Sequence, residues 1–322
     1  MVKLMNDVVD IIKNNNNFVI TAHHHPDGDA IGSSIGLYLA LKKIGKNVDI
    51  VIDEVPKTFK YLVGYDDIKS DSDKIYDVGL ILDNANIDRI NKPNIVKNMK
   101  MKVVIDHHIS NNLYGDVNYV ETLSSCSMVI YKLIKELGIE VDIDIGNAIY
   151  TGLLTDTGCY RNKNVNSDTF IVSSELSKII DITKIIKLAT GTISKSEFML
   201  RKIGIENLEF YMNDRIALTY VCDDDLKKCN ATKNECSSLV NIPREIEGVE
   251  VSVLIRYFHD EIRVSLRSNN IDVNKVASNF GCGGHRFAAG IAFSPDENHL
   301  SVKNRIIESL ESAIDEWDNS CK

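Results

Sequence analysis

Four short polar segments in the first half of the chain carry the residue types that hold divalent metal ions. The first is His23-His24-His25-Pro26-Asp27-Gly28-Asp29. Its two carboxylates lie two residues apart, with an imidazole four positions before the first, and can grip one or two ions. Gly28 is expected to allow a tight bend that turns both carboxylates inward. Asp29 stands near the start of a helical run, a favourable place for an anion. Taken alone, the segment also reads as a polar loop capping a helix.

The second element is Asp83, directly after Val78-Gly79-Leu80-Ile81-Leu82. By itself it reads equally as a turn or N-cap residue. The third is Asp106-His107-His108, after Val103-Val104-Ile105. One imidazole there can bind a metal while a carboxylate fixes its tautomer, and the other can face a phosphate. The fourth is Thr155-Asp156-Thr157-Gly158 followed by Cys159-Tyr160-Arg161. Asp156 can add a ligand and Arg161 can pair with phosphate through its fork. In isolation this is an ordinary polar turn. The combined set offers hard oxygens and imidazole without a thiolate pattern, which suits Mn²⁺ or Mg²⁺, with Mn²⁺ preferred. Two such ions about 3.5–4 Å apart can bridge a hydroxide and stabilise the leaving oxygen of a phosphate ester.

A fifth segment lies near the other end: Gly281-Cys282-Gly283-Gly284-His285-Arg286-Phe287-Ala288-Ala289-Gly290. Its glycines let backbone N–H groups converge on an anion, and His285 and Arg286 add charge. Arg267, shortly upstream, is a further phosphate contact or else a solvated strand residue.

The elements that must position these groups alternate along the first 160 residues. Phe18–Thr21, Val48–Ile52, Val78–Leu82 and Lys102–Ile105 read as strands, and Ala30–Ile44 and Cys126–Leu137 as helices. In the first helix Ile31, Ile35, Tyr38 and Leu39 share one face. Such alternation implies a parallel sheet covered on both faces. Three of the strands run into His23, Asp83 and Asp106, and ligands of such sheets sit beyond the strands' carboxyl ends. Residues 167–208 read as helical and without chemistry. From Arg215 the pattern changes to strands at 215–221, 249–257 and 261–267, then a short helix at 274–279. The expected class is α/β, with a catalytic domain at 1–180, a helical linker at 181–212 and a smaller mixed α/β substrate domain at 213–322. The active site is expected in the cleft between the two domains.

Composition narrows the function. Across 322 residues the net charge is -9, which excludes a coat for long DNA or RNA but not short nucleotides held by metals and a few arginines. Seven cysteines occur without a CxxC pair. Cys222, Cys229 and Cys236 recur every seven residues, which reads as one face of a helix or as coincidence rather than as a zinc site. Scattered cysteines point to a reducing compartment. With no signal-like start and no apolar run of about 18 residues, the expectation is a cytoplasmic protein without a membrane partner.

These segments, in this order, resemble those of the DHH phosphoesterase family. Residues 23–33 look like its HxxPDGDAxGS motif, Asp106-His107-His108 like the name-giving triplet, and residues 281–290 like the GGGHxxAAG signature of the DHH-associated C-terminal domain. Cys282 stands where that signature has Gly. The resemblance spans nearly the whole chain and is greatest to the nano-RNase/pAp-phosphatase group. It implies His23, Asp27, Asp29, Asp83, His107 and Asp156 as ligands of two metal ions, with Asp83 between them. It implies His108 and Arg161 as catalytic groups at the scissile phosphate, and Arg267, Gly283, Gly284 and His285 as substrate-binding. The implied substrates are short oligoribonucleotides and 3′-phosphoadenosine 5′-phosphate, with no long duplex nucleic acid. A homodimer is an open option. Alternative readings are a linear di-adenylate phosphodiesterase, a single-strand DNA exonuclease, or an inactive nucleotide-binding sensor.

Overall fold

The computed structural model describes residues 4–90, 92–190 and 193–320. They form two compact units, Met1–Thr192 and Ile193–Lys322.

The first unit is built on six parallel strands: β1 (Asn17–Thr21), β2 (Asn47–Val51), β3 (Ile68–Lys69), β4 (Tyr76–Leu82), β5 (Met99–Asp106) and β6 (Val117–Val120). Their order is β3-β2-β1-β4-β5-β6. The central strands are apolar at consecutive positions because both faces are buried. In β1, Phe18 and Ile20 enter a large core while Val19 enters a smaller one on the opposite face. The large core lies under α1 (Met5–Asn14), α2 (Gly28–Lys43), α4 (Cys126–Glu136), α5 (Ile143–Asp156), α6 (Ser167–Leu176) and α7 (Ile182–Thr190). The smaller core includes Ile95 of the single-turn α3 (Pro93–Lys97). Both faces are therefore covered, as expected, but unequally.

Two local expectations are revised. The first helix is not amphipathic: α2 is buried on nearly every side, including Leu37, Ala40, Ser33 and Ser34. Its glycines let α5 approach, since a Cβ on Gly36 would lie 2.7 Å from Ile149 Cδ1. Gly28 is not a bend either. It opens α2, and a Cβ there would lie 2.8 Å from Thr155 Cβ, so close packing selects glycine.

In the second unit six strands run in the order β11-β12-β10-β9-β8-β7. These are β7 (Glu209–Tyr211), β8 (Ile216–Cys222), β9 (Val251–Tyr257), β10 (Ile262–Ser268), β11 (Gly283–His285) and β12 (Ala288–Phe293). Only the β8–β9 pair among them is parallel. One face packs under α10 (Val273–Ser278) and α11 (His299–Ser320). The other is partly covered by α8 (Lys195–Glu206), α9 (Asp223–Cys229) and the 3-10 segment Lys233–Asn241. Cys222 and Cys229 sit at opposite ends of α9, and Cys236 is buried on the 3-10 segment. The strands expected at 215–221, 249–257 and 261–267 hold to within two residues, whereas β7, β11, β12 and α11 were not expected, although Val302, Ile306, Leu310 and Ile314 line the buried side of α11. No described helix is long and apolar enough to cross a membrane.

Asp49 on β2 ties the smaller core's edge together. It accepts hydrogen bonds from Lys69 Nζ (2.7 Å), Lys74 Nζ (2.9 Å) and the buried Tyr76 Oη (2.9 Å). Partial burial disfavours its carboxylate, but these donors outweigh that and bring its pKa down to about 2. A depressed folded-state pKa contributes stability above the ordinary carboxylate value, lost as pH falls through the folded value. Asp49→Asn should lower stability near neutral pH by about 1 kcal/mol, a modest figure because both lysines are exposed to screening. Denaturant titrations should show the gap between wild type and variant closing as pH falls from about 4 towards 2.

Candidate metal centre

Strands β1, β4 and β5 end at one edge of the parallel sheet, beside the point where strand order reverses between β1 and β4. Such a reversal parts the connecting loops and opens a crevice.

His23 follows β1. Its Nδ1 is bonded to His24 O (2.9 Å), which leaves Nε2 facing Asp83 Oδ2 at 3.7 Å. His24 is held elsewhere, by Arg89 O, and the exposed His25 pairs with Glu54. Asp27 is the N-cap of α2, and its Oδ1 accepts from Asp29 N and Ala30 N. Asp29 lies inside the first turn and is 1% exposed. Its two oxygens accept from Cys126 N (2.6 Å) and Ser127 N (2.8 Å), so a carboxylate from α2 caps the N-terminus of α4.

Asp83 leaves β4 with φ at 50°, a left-handed conformation unusual for a residue with a Cβ. Its buried Oδ1 accepts no hydrogen bond, and His107 Nε2 lies 3.4 Å from it. His107 is oriented by Leu123 O, 3.1 Å from its Nδ1. Its Nε2 is also 3.8 Å from Asp156 Oδ2 and 3.9 Å from Asp29 Oδ2. Asp106 is fully buried and binds His108 Nδ1 at 2.7 Å. It also accepts from Asn111 Nδ2 at 2.6 Å. The carboxylate of the triplet thus fixes His108, while a backbone carbonyl fixes His107; the sequence left open which imidazole it would hold. Asp156 ends α5 and accepts from Asn164 Nδ2. Arg161 is exposed beyond three successive left-handed residues, Gly158, Cys159 and Tyr160.

Three groups of potential ligand atoms, each within 4.8 Å, run together here. They are His23–Asp27–Asp83, Asp29–His107–Asp156 and Asp83–Asp106–His107–His108. Asp83 and His107 each belong to two of them. The electrostatics fit a cation. Burial, with the charges of Asp83 and Asp156, pushes Asp29 well above the usual carboxylate range. Burial and neighbouring carboxylates bring Asp156 up to about 6. His107 loses through burial but gains more from Asp83, Asp29 and Asp156, reaching about 10. Crowded carboxylates that recruit protons are those a divalent ion would neutralise. The unmet Asp83 Oδ1 supplies an open acceptor in the middle of the set.

In the second unit Arg267 lies on β10 and is half-buried, with Nη1 donating to Leu266 O. Gly283 and Gly284 are not an open loop: they form β11, and the Gly284 N–H is already bonded to Asn274 Oδ1 at 2.8 Å. Cys282 has no left-handed backbone and packs against the second unit's core, so its replacement of glycine is accommodated. The side chain of His285 lies outside the described residues. Sequence reasoning missed Asn111, Asn164 and the α4 N–H groups. Only the last had a local sign, the N-cap Ser125 ahead of an apolar helical run.

The Asp29 cap depends on a missing side chain. A Cβ on Gly152 of α5 would lie 2.7 Å from Asp29 Oδ1 and would also overlap Ser127 Oγ. Gly152→Ala should cost about 1–3 kcal/mol of stability. Thermal melts with and without Mn²⁺ should show a lower midpoint and a smaller metal-induced rise than in wild type.

Comparison with known proteins identifies the family. Residues 17–153 match the DHH family N-terminal domain, and residues 213–316 match the DHHA1 domain. The chain is 31% identical to the probable bifunctional oligoribonuclease and PAP phosphatase NrnA of Streptococcus mutans, covering 89% of this chain and 93% of that one. It is 29% identical to the bifunctional oligoribonuclease and PAP phosphatase NrnA of Thermus thermophilus, over 91% and 90% of the two chains. An exopolyphosphatase-related protein from Bacteroides fragilis superposes with a TM-score of 0.90 at 28% identity, over 96% and 95% of the chains. The merged carboxylate–imidazole groups at the strand ends, the strand order and these two domain matches lead to one assignment: the chain belongs to the DHH family and carries a DHHA1 domain.

Proposed function

We propose that this protein is a two-metal phosphoesterase. It hydrolyses short oligoribonucleotides to mononucleotides and 3′-phosphoadenosine 5′-phosphate to AMP. The observation that carries this reading is the merging of ligand groups through Asp83 and His107 around an unpartnered carboxylate oxygen. The printed names of the two curated relatives support the substrate class.

In this reading His23, Asp27 and Asp83 hold one ion, and Asp29, Asp83, His107 and Asp156 hold the other. Hard oxygens with imidazole favour Mn²⁺, with Mg²⁺ the weaker choice. The ions would supply a hydroxide nucleophile and Lewis-acid stabilisation of the phosphate. The chain's own contribution begins at His108. Burial disfavours its imidazolium, but the bond and charge of Asp106 outweigh this and raise its pKa. A His108 fixed through Nδ1 keeps Nε2 for the scissile phosphate or the leaving oxygen. Arg161 pairs with the same phosphate, and Arg267, Gly283, Gly284 and His285 hold the remainder of the substrate. A net charge of -9 suits short substrates, because long polyanions would be repelled.

The deciding experiment is a side-by-side panel of 3′-phosphoadenosine 5′-phosphate, an RNA dinucleotide and linear di-adenylate, with and without Mn²⁺. Metal-dependent release of phosphate or mononucleotide is expected, and chelation should abolish it. Asp83→Ala should reduce turnover about a thousandfold, roughly 4 kcal/mol of barrier, while circular dichroism shows the fold retained. Undiminished hydrolysis by that variant would overturn the assignment. Tight binding of all three compounds without turnover would indicate a sensor instead.

A further inference from the structure

Between Asp156, the last residue of α5, and Arg161 the chain makes a turn of unusual hand. Thr157 closes the helix, and Gly158, with φ at 56°, is the left-handed residue on which many helices stop. Here the left-handed backbone continues through Cys159 at 56° and Tyr160 at 64°. Both carry a Cβ, so each adds a cost that glycine escapes. Capping does not require them. The helix end is complete once Gly158 N–H donates to Thr155 O at 3.0 Å and Cys159 N–H to Leu154 O at 2.9 Å. The two extra residues instead fold the chain back. The N–H groups of Arg161 and Asn162 both donate to Thr157 O at 3.0 Å, and the Asn162 and Asn164 side chains donate to Asp156 O.

A strained turn persists where its surroundings over-determine it. The Tyr160 side chain supplies that hold. Its Oη lies 3.0 Å from Tyr150 Oη of α5 and 2.8 Å from Ser173 Oγ of α6. Ser173 spends its one proton on Thr169 O at 2.6 Å, so Tyr160 donates to Ser173 and accepts from Tyr150. Tyr150 and Ser173 are buried, and neither hydroxyl has bulk water to replace Tyr160. The Tyr160 ring also stacks on Phe170 of α6, with centroids 5.5 Å apart and planes 13° apart. Arg161, the next residue, is exposed. Its Nε donates to Gly158 O at 3.3 Å, and among the described residues no carboxylate reaches its guanidinium.

We propose that Tyr160 is a positioning residue for phosphate-ester hydrolysis. Its hydroxyl, locked between Tyr150 and Ser173, holds the left-handed turn that keeps the Arg161 fork beside Asp156, ready for the phosphate. The assignment rests on the phosphoesterase reading above. Tyr160 itself touches no substrate, so its whole effect on the reaction passes through Arg161.

The test is a double-mutant cycle on Mn²⁺-dependent turnover of 3′-phosphoadenosine 5′-phosphate, with wild type, Tyr160→Phe, Arg161→Ala and the double variant. Tyr160→Phe keeps the ring stack and removes only the hydroxyl. It should lower kcat about tenfold and change KM less. In the Arg161→Ala background the same substitution should change kcat less than about twofold, because the group it positions is gone. The Mn²⁺ concentration for half-maximal activity should match wild type, since Asn164 still holds Asp156. Tyr150→Phe leaves Tyr160 bonded to Ser173, so its loss of kcat should be smaller, and it replaces Tyr160→Phe in the cycle if that variant does not fold. Three results would each overturn the proposal: equal falls of kcat in both backgrounds, unchanged kcat with a lowered melting temperature, or a shifted Mn²⁺ midpoint, which would put the effect at Asp156. Wild type that hydrolyses no substrate would refute the phosphoesterase reading and this role with it. That failure shows in wild type, whereas failure of the Tyr160 role alone shows only among the variants.

Discussion

Like charges gathered out of water are the constraint around which the first unit is organised. Asp29, Asp83 and Asp106 are almost completely buried at one sheet edge, with Asp156 close by. Left alone, such carboxylates repel one another and lose hydration. Each faces nitrogen groups from a different element. Backbone N–H groups of α4 hold Asp29, His23 and His107 face Asp83, and Asn111 with His108 holds Asp106. The backbone contributes too, because Asp83 sits in a left-handed conformation that turns its carboxylate off the end of β4. Strain of this kind persists where the surroundings over-determine it, as they do here.

Packing follows from the same requirement. For Asp29 to reach the end of α4, helices α2, α4 and α5 must approach more closely than ordinary side chains allow. Glycines at positions 28, 36 and 152 make this possible, each facing a neighbour that a Cβ would strike. The near-complete burial of α2 is thus part of the site's construction. The second unit is built differently. Its core is an ordinary apolar layer under α10 and α11, with a smaller apolar cluster on the opposite face of its sheet.

Much of this was legible in the amino-acid sequence. Strand periodicity and the polar residues after each apolar run place His23, Asp83 and Asp106 at strand ends, because such groups in mid-strand between two apolar layers would lose hydration without gaining a partner. The α/β class, the five motifs and the family followed from local patterns of residue type. What sequence could not decide is which atoms meet. Three consecutive histidines are equivalent locally, and only the positions of Arg89 and Glu54 direct His24 and His25 away and leave His23 facing Asp83. The partner of Asp106 and the capping of α4 by a residue 97 positions earlier in the chain are likewise tertiary facts. The division has one physical reason. Hydrophobic periodicity and motif chemistry act over a few neighbouring residues and are written in order along the chain. Hydrogen bonding and charge neutralisation act over a few ångströms of space, and the fold alone sets which distant residues share that space.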